Sequence, residues 1–248
     1  MNGRPRRSSG TPTGGQFAEK VNPESDVELP DNDLSDDLLA KMPPSTGDTW
    51  KTIAPLLPAS AYLAGGTALT VHLLHRTSRD LDIFLEQPED LASLGAAITA
   101  AGDALATQCD DHTVNCVFNS TRLQVLEATT QKMVAPTSVV AGLRVASIED
   151  IMAMKLKVII DRGELRDYFD LMAIEERASL PVESGIALSV ERYSPANVDQ
   201  YVDSIVRSLG YFGDVADDPE LPVARAEIEG FWRRRQRPLM KHIAMYGG

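Results

Sequence analysis

The sequence predicts an α+β protein, a mixed sheet covered by helices and followed by a C-terminal helical subdomain. Short apolar or alternating stretches at 61–64, 81–85, 104–109, 113–118 and 122–127 have the length and period of strands. Segments long enough to cover one face of a sheet lie among them. After residue 146 the apolar residues recur at helical spacing almost to the end.

Residues 1–45 read as a largely disordered acidic tail. Glu24 to Asp37 holds seven acids and no base, a composition that buries too little apolar surface to offset ordering. The run reads as a solubilising tail, with imitation of nucleic acid, cover for a basic site or inhibition of the same chain as alternatives. A short helix within 34–42 is expected to dock on the body, with Pro43-Pro44 as its stop. A helix at 49–57 enters the core, and Pro88 to Ala101 reads as an amphipathic helix opened by proline. Leu143 to Ala146 is a last strand or extended lead-in, after which helices are expected at 168–178, 181–190, 195–209 and 222–246.

Two motifs carry chemistry. The first runs from Tyr62 through Gly65-Gly66-Thr67 into an apolar helix, with Asp80-Leu81-Asp82 fourteen residues beyond Gly66. Two carboxylates separated by one residue on a strand point to the same side. Mg²⁺ or Mn²⁺ held by such a pair would complete its shell with nucleotide oxygens and water. Gly65 and Gly66 allow a tight turn and close approach to a ligand, and amides near Thr67 suit an anion. Thr67 is also placed to cap the helix. Read separately, a Gly-Gly turn and an Asp-x-Asp strand end are common; their order and spacing give them weight.

The second motif spans Ser147 to Leu171. Ser147 with Asp150 suits a capping arrangement, Gly163 stops the helix and Glu164 begins another. Treated as one helix, Lys155, Arg162, Arg166 and Asp170 would share one face; Gly163 makes a bent pair instead. Alternatively, Lys155 is an ordinary surface lysine, and Arg166 with Asp170 a surface pair worth about 0.3 to 0.5 kcal/mol.

The first motif resembles the opening motif of the nucleotidyltransferase superfamily with the DNA polymerase beta type fold. The second, Lys155-Leu156 through Arg162-Gly163, Arg166-Asp167 and Asp170-Leu171, is similar to the downstream motifs of the AbiEii/AbiGii toxin family, which includes the mycobacterial MenT toxins. The resemblance covers about residues 60 to 175. It implies a nucleotidyltransferase core at 46–146 and a helical subdomain at 147–248 that completes the active site. It further implies that Asp80 and Asp82 bind metal, that Lys155 contacts the phosphates of a nucleoside triphosphate, and that Asp170 completes the catalytic set, as base or as helper near the metal. Arg166 and Asp167 would support them, with Arg162 alongside. Thr67 stands where family members often carry serine, which preserves the hydroxyl. Glu127, ending the alternating strand 123–127, is a candidate third carboxylate or a solvated strand end.

Composition narrows the setting. No run approaches the roughly 18 apolar residues of a membrane helix, and the start lacks an apolar signal core, so the expected location is the cytoplasm. Cys109 and Cys116, across a hairpin around Asp110-Asp111-His112, read as reduced thiols rather than a disulfide or zinc site. His72 and His75 read as partly exposed packing on the helix after the glycine turn. A net charge of −12 argues against a broad, nonspecific grip on nucleic acid. It leaves room for a local one, and Arg233, Arg234, Arg235, Arg237 and Lys241 are either such a patch or a solvated helix face. The expected activity is metal-dependent transfer of a nucleotide to an acceptor, by family analogy a tRNA 3′ end, as the toxin of a toxin–antitoxin or abortive-infection system with a cognate antitoxin. Nucleotidylation of a protein or small molecule, or a non-catalytic regulatory module, are the alternatives.

Overall fold

A computed structural model describes residues 33–246, with side chains through Lys241. The sequence reading of the N-terminal 32 residues, including most of the acidic run, lies outside the described residues. What precedes the sheet is folded onto it. Helix α1 (Asp36–Leu39) is capped by Ser35, whose hydroxyl accepts from the Leu38 amide, and Leu34, Leu38 and Met42 are buried in the core. The expected boundary at residue 45 therefore falls inside packed structure. Pro44 does not stop α1 but opens α2 (Pro44–Ile53), the position where a missing N–H costs nothing. A 3-10 turn, Ala54–Leu56, follows.

Seven strands form one mixed sheet: β1 (Ala61–Ala64), β2 (Leu81–Leu85), β3 (Ala104–Cys109), β4 (Thr113–Phe118), β5 (Thr121–Glu127), β6 (Ser138–Val140) and β7 (Leu143–Val145), in the order β3-β4-β5-β2-β1-β7-β6. The β2–β5 and β1–β7 pairs are parallel, the others antiparallel. Strand β6 was not foreseen; three residues, two of them exposed, carry too little pattern to read. Strand β1 is buried throughout, as a central strand must be, whereas β2 alternates and turns Asp82 and Phe84 to one side.

Helix α3 (Gly65–Leu73) leaves β1 directly and ends on left-handed Leu74. Helix α4 (Leu91–Ala100) is capped by Asp90, whose carboxylate accepts from the Ser93 amide; the expected proline start at 88 lies before the helix. Helices α4 and α2 cover the face of β3–β5 that carries Val114, Cys116 and Phe118. The opposite face of these strands is open, with Leu105 69% and Val117 36% exposed.

The later helices are α5 (Ile148–Arg162), α6 (Leu165–Arg177), α7 (Val182–Tyr193), α8 (Val198–Leu209) and α9 (Arg225–Tyr246). Ser147 caps α5 by accepting from the Asp150 amide, and Gly163 closes it. Glu164 and Asp167 form a reciprocal capping box that starts α6. Helix α5 packs against α3, α6, α7 and α8. Its apolar side joins the sheet's residues in one hydrophobic core that runs through the expected boundary at 146. A buried ion pair ties the halves together: Arg192 Nη1 donates to Asp150 Oδ1 at 2.6 Å and Nη2 to the Tyr62 hydroxyl at 2.7 Å.

Candidate active site

The ends of β1 and β2 and the faces of α5 and α6 enclose a cleft of about 620 Å³. Gly65, Gly66, Asp80, Asp82, Lys155, Arg162, Arg166 and Asp167 all line it. Both sequence motifs therefore reach one space.

Asp82 sits on β2 between Ala64 of β1 and Gln124 of β5. Asp80 lies just before the strand. Gly65 has φ +69°, a left-handed conformation that favours glycine, and Asp82 Oδ2 occupies the space a Cβ there would need. Gly66 is packed as closely: a Cβ would stand 2.5 Å from Arg76 Nη2. The two glycines thus admit a carboxylate and a guanidinium against the start of α3.

Thr67 has a different role from the expected one. Helix α3 begins at Gly65 with Ala64 as its N-cap and no side-chain cap. The Thr67 side chain is buried, and its hydroxyl is bonded to Ser78 Oγ at 2.8 Å and donates to the Asp80 carbonyl. It anchors the loop that presents Asp80 and does not line the cleft.

Behind the cleft is a buried charge cluster centred on Asp170. Arg76 donates to its two oxygens from Nε at 2.6 Å and Nη2 at 2.8 Å, His75 Nε2 donates at 2.7 Å, and Lys155 Nζ lies 2.7 Å from Oδ2. Lys155 also donates to Asp167 Oδ1 at 2.7 Å. Burial works against the charged carboxylate of Asp170, but Lys155, Arg76 and His75 hold its pKa well below the ordinary value. Burial likewise opposes the Lys155 ammonium, and Asp167 and Asp170 outweigh it and raise its pKa. Asp170 is fully buried and does not line the cleft. In this arrangement Asp170 fixes Arg76 and Lys155. The surface pair of Arg166 with Asp170 is not formed, since Arg166 and Arg162 both pair with Glu164.

Neither Asp80 nor Asp82 has a side-chain hydrogen-bond donor or ion-pair partner among the described residues, although Arg76 and Lys155 share their cleft. Burial raises the pKa of Asp82, an effect that Lys155 opposes and Asp80 reinforces. Two acceptor-only groups of like charge, left open beside fixed cations, fit a divalent cation. No group of three or more His, Cys, Asp or Glu side chains suited to a metal occurs among the described residues, so a cation held here would take the rest of its shell from substrate and water oxygens.

Glu127 does not join them. It accepts from His112 and Thr129 at 2.7 Å each and lies outside the cleft. The reason is strand parity: Glu127 pairs with Leu85, whereas the position beside Asp82 is Gln124. His75 also differs from expectation. It follows α3, is buried, stacks on Phe169 with centroids 5.8 Å apart, and has its pKa lowered chiefly by burial. Arg76 and Gln124 are not singled out from sequence, and His75 is read there only as packing; the sign of Arg76 is one of two arginines in the spacer between glycines and carboxylates. Cys109 and Cys116 are free thiols. Of the C-terminal cations, Arg235 pairs with Glu175 and Glu183 at 2.5 Å, while Arg233 is exposed beside Glu229.

No helix among the described residues is long and apolar enough to cross a membrane. A crystal structure from H. pylori, described as a candidate nucleotidyltransferase, shares the fold with a TM-score of 0.52 and 20% identity, over 86% of this chain and 99% of that one. An uncharacterised protein of Aquifex aeolicus is 26% identical over 186 residues, 73% of this chain and 88% of its own length. The family model described as nucleotidyl transferase AbiEii toxin, type IV toxin–antitoxin system, matches residues 52–243. That match spans most of the chain, which therefore belongs to the AbiEii family and is a nucleotidyltransferase of the toxin–antitoxin type.

Proposed function

We propose that the protein transfers a nucleotidyl group from a nucleoside triphosphate to the 3′ hydroxyl of an RNA acceptor, a tRNA end by family analogy, with Mg²⁺ or Mn²⁺ at Asp80 and Asp82. The observation that carries this reading is the division of charge in the cleft. Asp167 and Asp170 hold Lys155 and Arg76 in place, while Asp80 and Asp82 are left without donors. When bound, the cation would supply charge neutralisation at the reacting phosphate.

The chain's own residues supply position. Lys155 and Arg76 present fixed positive charge to triphosphate oxygens, a stabilisation already organised before the substrate arrives. The amides that open α3 at Gly65 and Gly66 add donors suited to an anion. Arg162 and Arg166, on the rim, reach the same cleft and would steer the incoming anion. Asp170 serves as the positioning residue behind Lys155 and Arg76. The acceptor hydroxyl oxygen attacks the alpha phosphorus as its proton passes to solvent, a new oxygen–phosphorus bond forms, and the bond from the alpha phosphorus to the bridging oxygen breaks, so that pyrophosphate leaves with that electron pair.

One observation favours a second reading. Asp218 and Glu220, from the loop between α8 and α9, also line the cleft, and an acidic wall suits a protein or small-molecule acceptor better than a polyanion. Incubation with each labelled triphosphate, Mg²⁺ or Mn²⁺, and total tRNA or cell lysate separates the two. Label on RNA, abolished by Asp82→Ala, supports the first; label on protein or a small solute supports the second; no metal-dependent label defeats both. The activity, in the cytoplasm, would arrest growth unless the cognate antitoxin is present.

A further inference from the structure

We infer that the open face of strands β3–β5 is the acceptor platform, a track for a single-stranded nucleic-acid end that leads away from Asp80 and Asp82. The inference rests on the reading of this site as a nucleotidyltransferase with an RNA acceptor and names the surface that would hold that RNA.

Register defines the track. Asp82 is paired with Gln124, Gln124 with Asn115, and Asn115 with Gln108. One step toward the strand start, Arg122 is paired with Val117 and Val117 with Leu105. One side-chain row thus runs from Asp82 to the sheet edge, and a second runs beside it from Arg122. Strand spacings of about 4.8 Å make the row from Asp82 to Gln108 about 14 Å long and the row from Arg122 to Leu105 about 10 Å, room for a few nucleotides.

The chemistry of these rows differs from that of the rest of the cleft. The lining residues of β3, β4 and β5 include Arg122, Gln124, Asn115 and Val117 and contain no carboxylate. Arg122 is exposed and makes no ion pair among the described residues. By contrast, Arg162 and Arg166 are paired with Glu164, and Arg79 with Glu220. Beyond Arg162 and Arg166 a neighbouring hollow carries Asp161, Asp214, Asp217 and Asp218. A phosphate backbone leaving in that direction meets Asp214, Asp217 and Asp218, which have no ion-pair partner among the described residues, whereas one leaving over β5 meets a row of amides beside a row that begins with a cation and continues as apolar surface on which bases can pack. The face is open because α2 and α4 cover the other side, and Leu105 and Val117 remain exposed on it. Gln124, where a third carboxylate would repel the acceptor's phosphate, offers an amide able to donate and accept.

The test uses the full chain and separates binding from chemistry. Fluorescence anisotropy measures affinity for a labelled single-stranded RNA with a free 3′ hydroxyl, and calorimetry measures affinity for a non-hydrolysable triphosphate with Mn²⁺. Arg122→Glu is expected to weaken RNA binding by about tenfold or more and to lower the slope of log affinity against log salt by about one. Gln124→Ala with Asn115→Ala should weaken it further, Arg122→Lys should largely retain it, and triphosphate affinity should stay within about twofold throughout. Unchanged RNA binding in Arg122→Glu, or an equal loss of triphosphate binding, overturns the platform. Wild-type protein that binds this RNA through Arg122 but transfers no label to any RNA would overturn the proposed reaction and leave the platform standing.

Discussion

Gly65 and Asp82 are fitted to each other: the Asp82 carboxylate occupies the space a side chain on Gly65 would fill, and Gly65 itself has φ +69°. The turn that starts α3 and the carboxylate expected to hold the cation thus form one packed unit. The double glycine, which in sequence suggested room for a ligand, first makes room for the protein's own Asp82 and Arg76.

Gly65→Ala should therefore impair transfer far more than stability. Holding alanine in a left-handed conformation costs about 1 to 2 kcal/mol, a fall in Tm of about 2–8 °C for a chain of this size. The displaced Asp82 should lower kcat/KM by about a hundredfold, the scale of a misplacement near 1 Å. Thermal melts and label transfer measure the two effects; a large loss of stability with normal kcat/KM in the folded fraction would refute the fit.

Asp170→Asn should be chiefly destabilising, because it leaves Arg76 and Lys155 buried with less compensation. Removing one partner of a buried ion cluster costs about 3–5 kcal/mol. The folded pKa of Asp170 is depressed, so the unfolded chain binds the extra proton. Its contribution to stability is complete above the unfolded value of about 3.9 and is lost as pH falls through the lower folded value. Wild type should lose stability on acidification below about pH 4, and Asp170→Asn should flatten that part of the curve. Denaturant unfolding as a function of pH decides this, and an unchanged acid limb would show that Asp170 is not the group responsible.

Lys155→Met tests the cation rather than the fold. Asp170 keeps Arg76 and His75 as donors, and Asp167 keeps the Glu164 amide at 3.0 Å. Stability should fall modestly, while kcat/KM for the triphosphate drops by about 10²- to 10³-fold, the usual effect of removing one preorganised charge. Arginine should not rescue it, since a planar fork cannot replace a compact ammonium between two carboxylates. Full activity of Lys155→Met would remove the residue from the mechanism.

The strands and helices around the site were legible because they obey simple periods: β2 alternates, α5 shows helical spacing, and Gly163 with Glu164 marks the break. That Asp80, Asp82, Lys155 and Arg166 would share one cleft was legible because two local motifs carry them. The remaining gaps have physical causes. Glu127 stayed open between a third carboxylate and a solvated strand end because a strand's partner register, and hence which side its carboxylate takes, is set by β2 and not by β5 itself. Thr67 looked like a cap because sequence does not show that α3 starts two residues earlier, directly on the glycines. Asp170, His75 and Arg76 meet across more than ninety positions of chain, and no local pattern announces such a cluster.

Arg192 and Asp150 offer a control that separates architecture from catalysis. Both side chains are fully buried, and Arg192 also donates to the Lys132 carbonyl at 3.0 Å and to Gln131 Oε1 at 3.1 Å. Asp150 in turn accepts from the Val134 and Ala135 amides and from the Ser147 hydroxyl. The pair therefore fixes α7 and the 131–135 loop to the start of α5, the helix that carries Lys155. Arg192→Met or Asp150→Asn should each cost about 3–5 kcal/mol, since each leaves the partner's charge or polar groups buried without compensation. The double variant should cost clearly less than the sum, because both single changes break the same contact. In the folded fraction the KM for triphosphate should stay within about twofold, as neither residue lines the cleft. Additive destabilisation would show that the two residues are held independently, and a large rise in KM would mean that the position of α5 is set from this end of the helix as well as from Asp170.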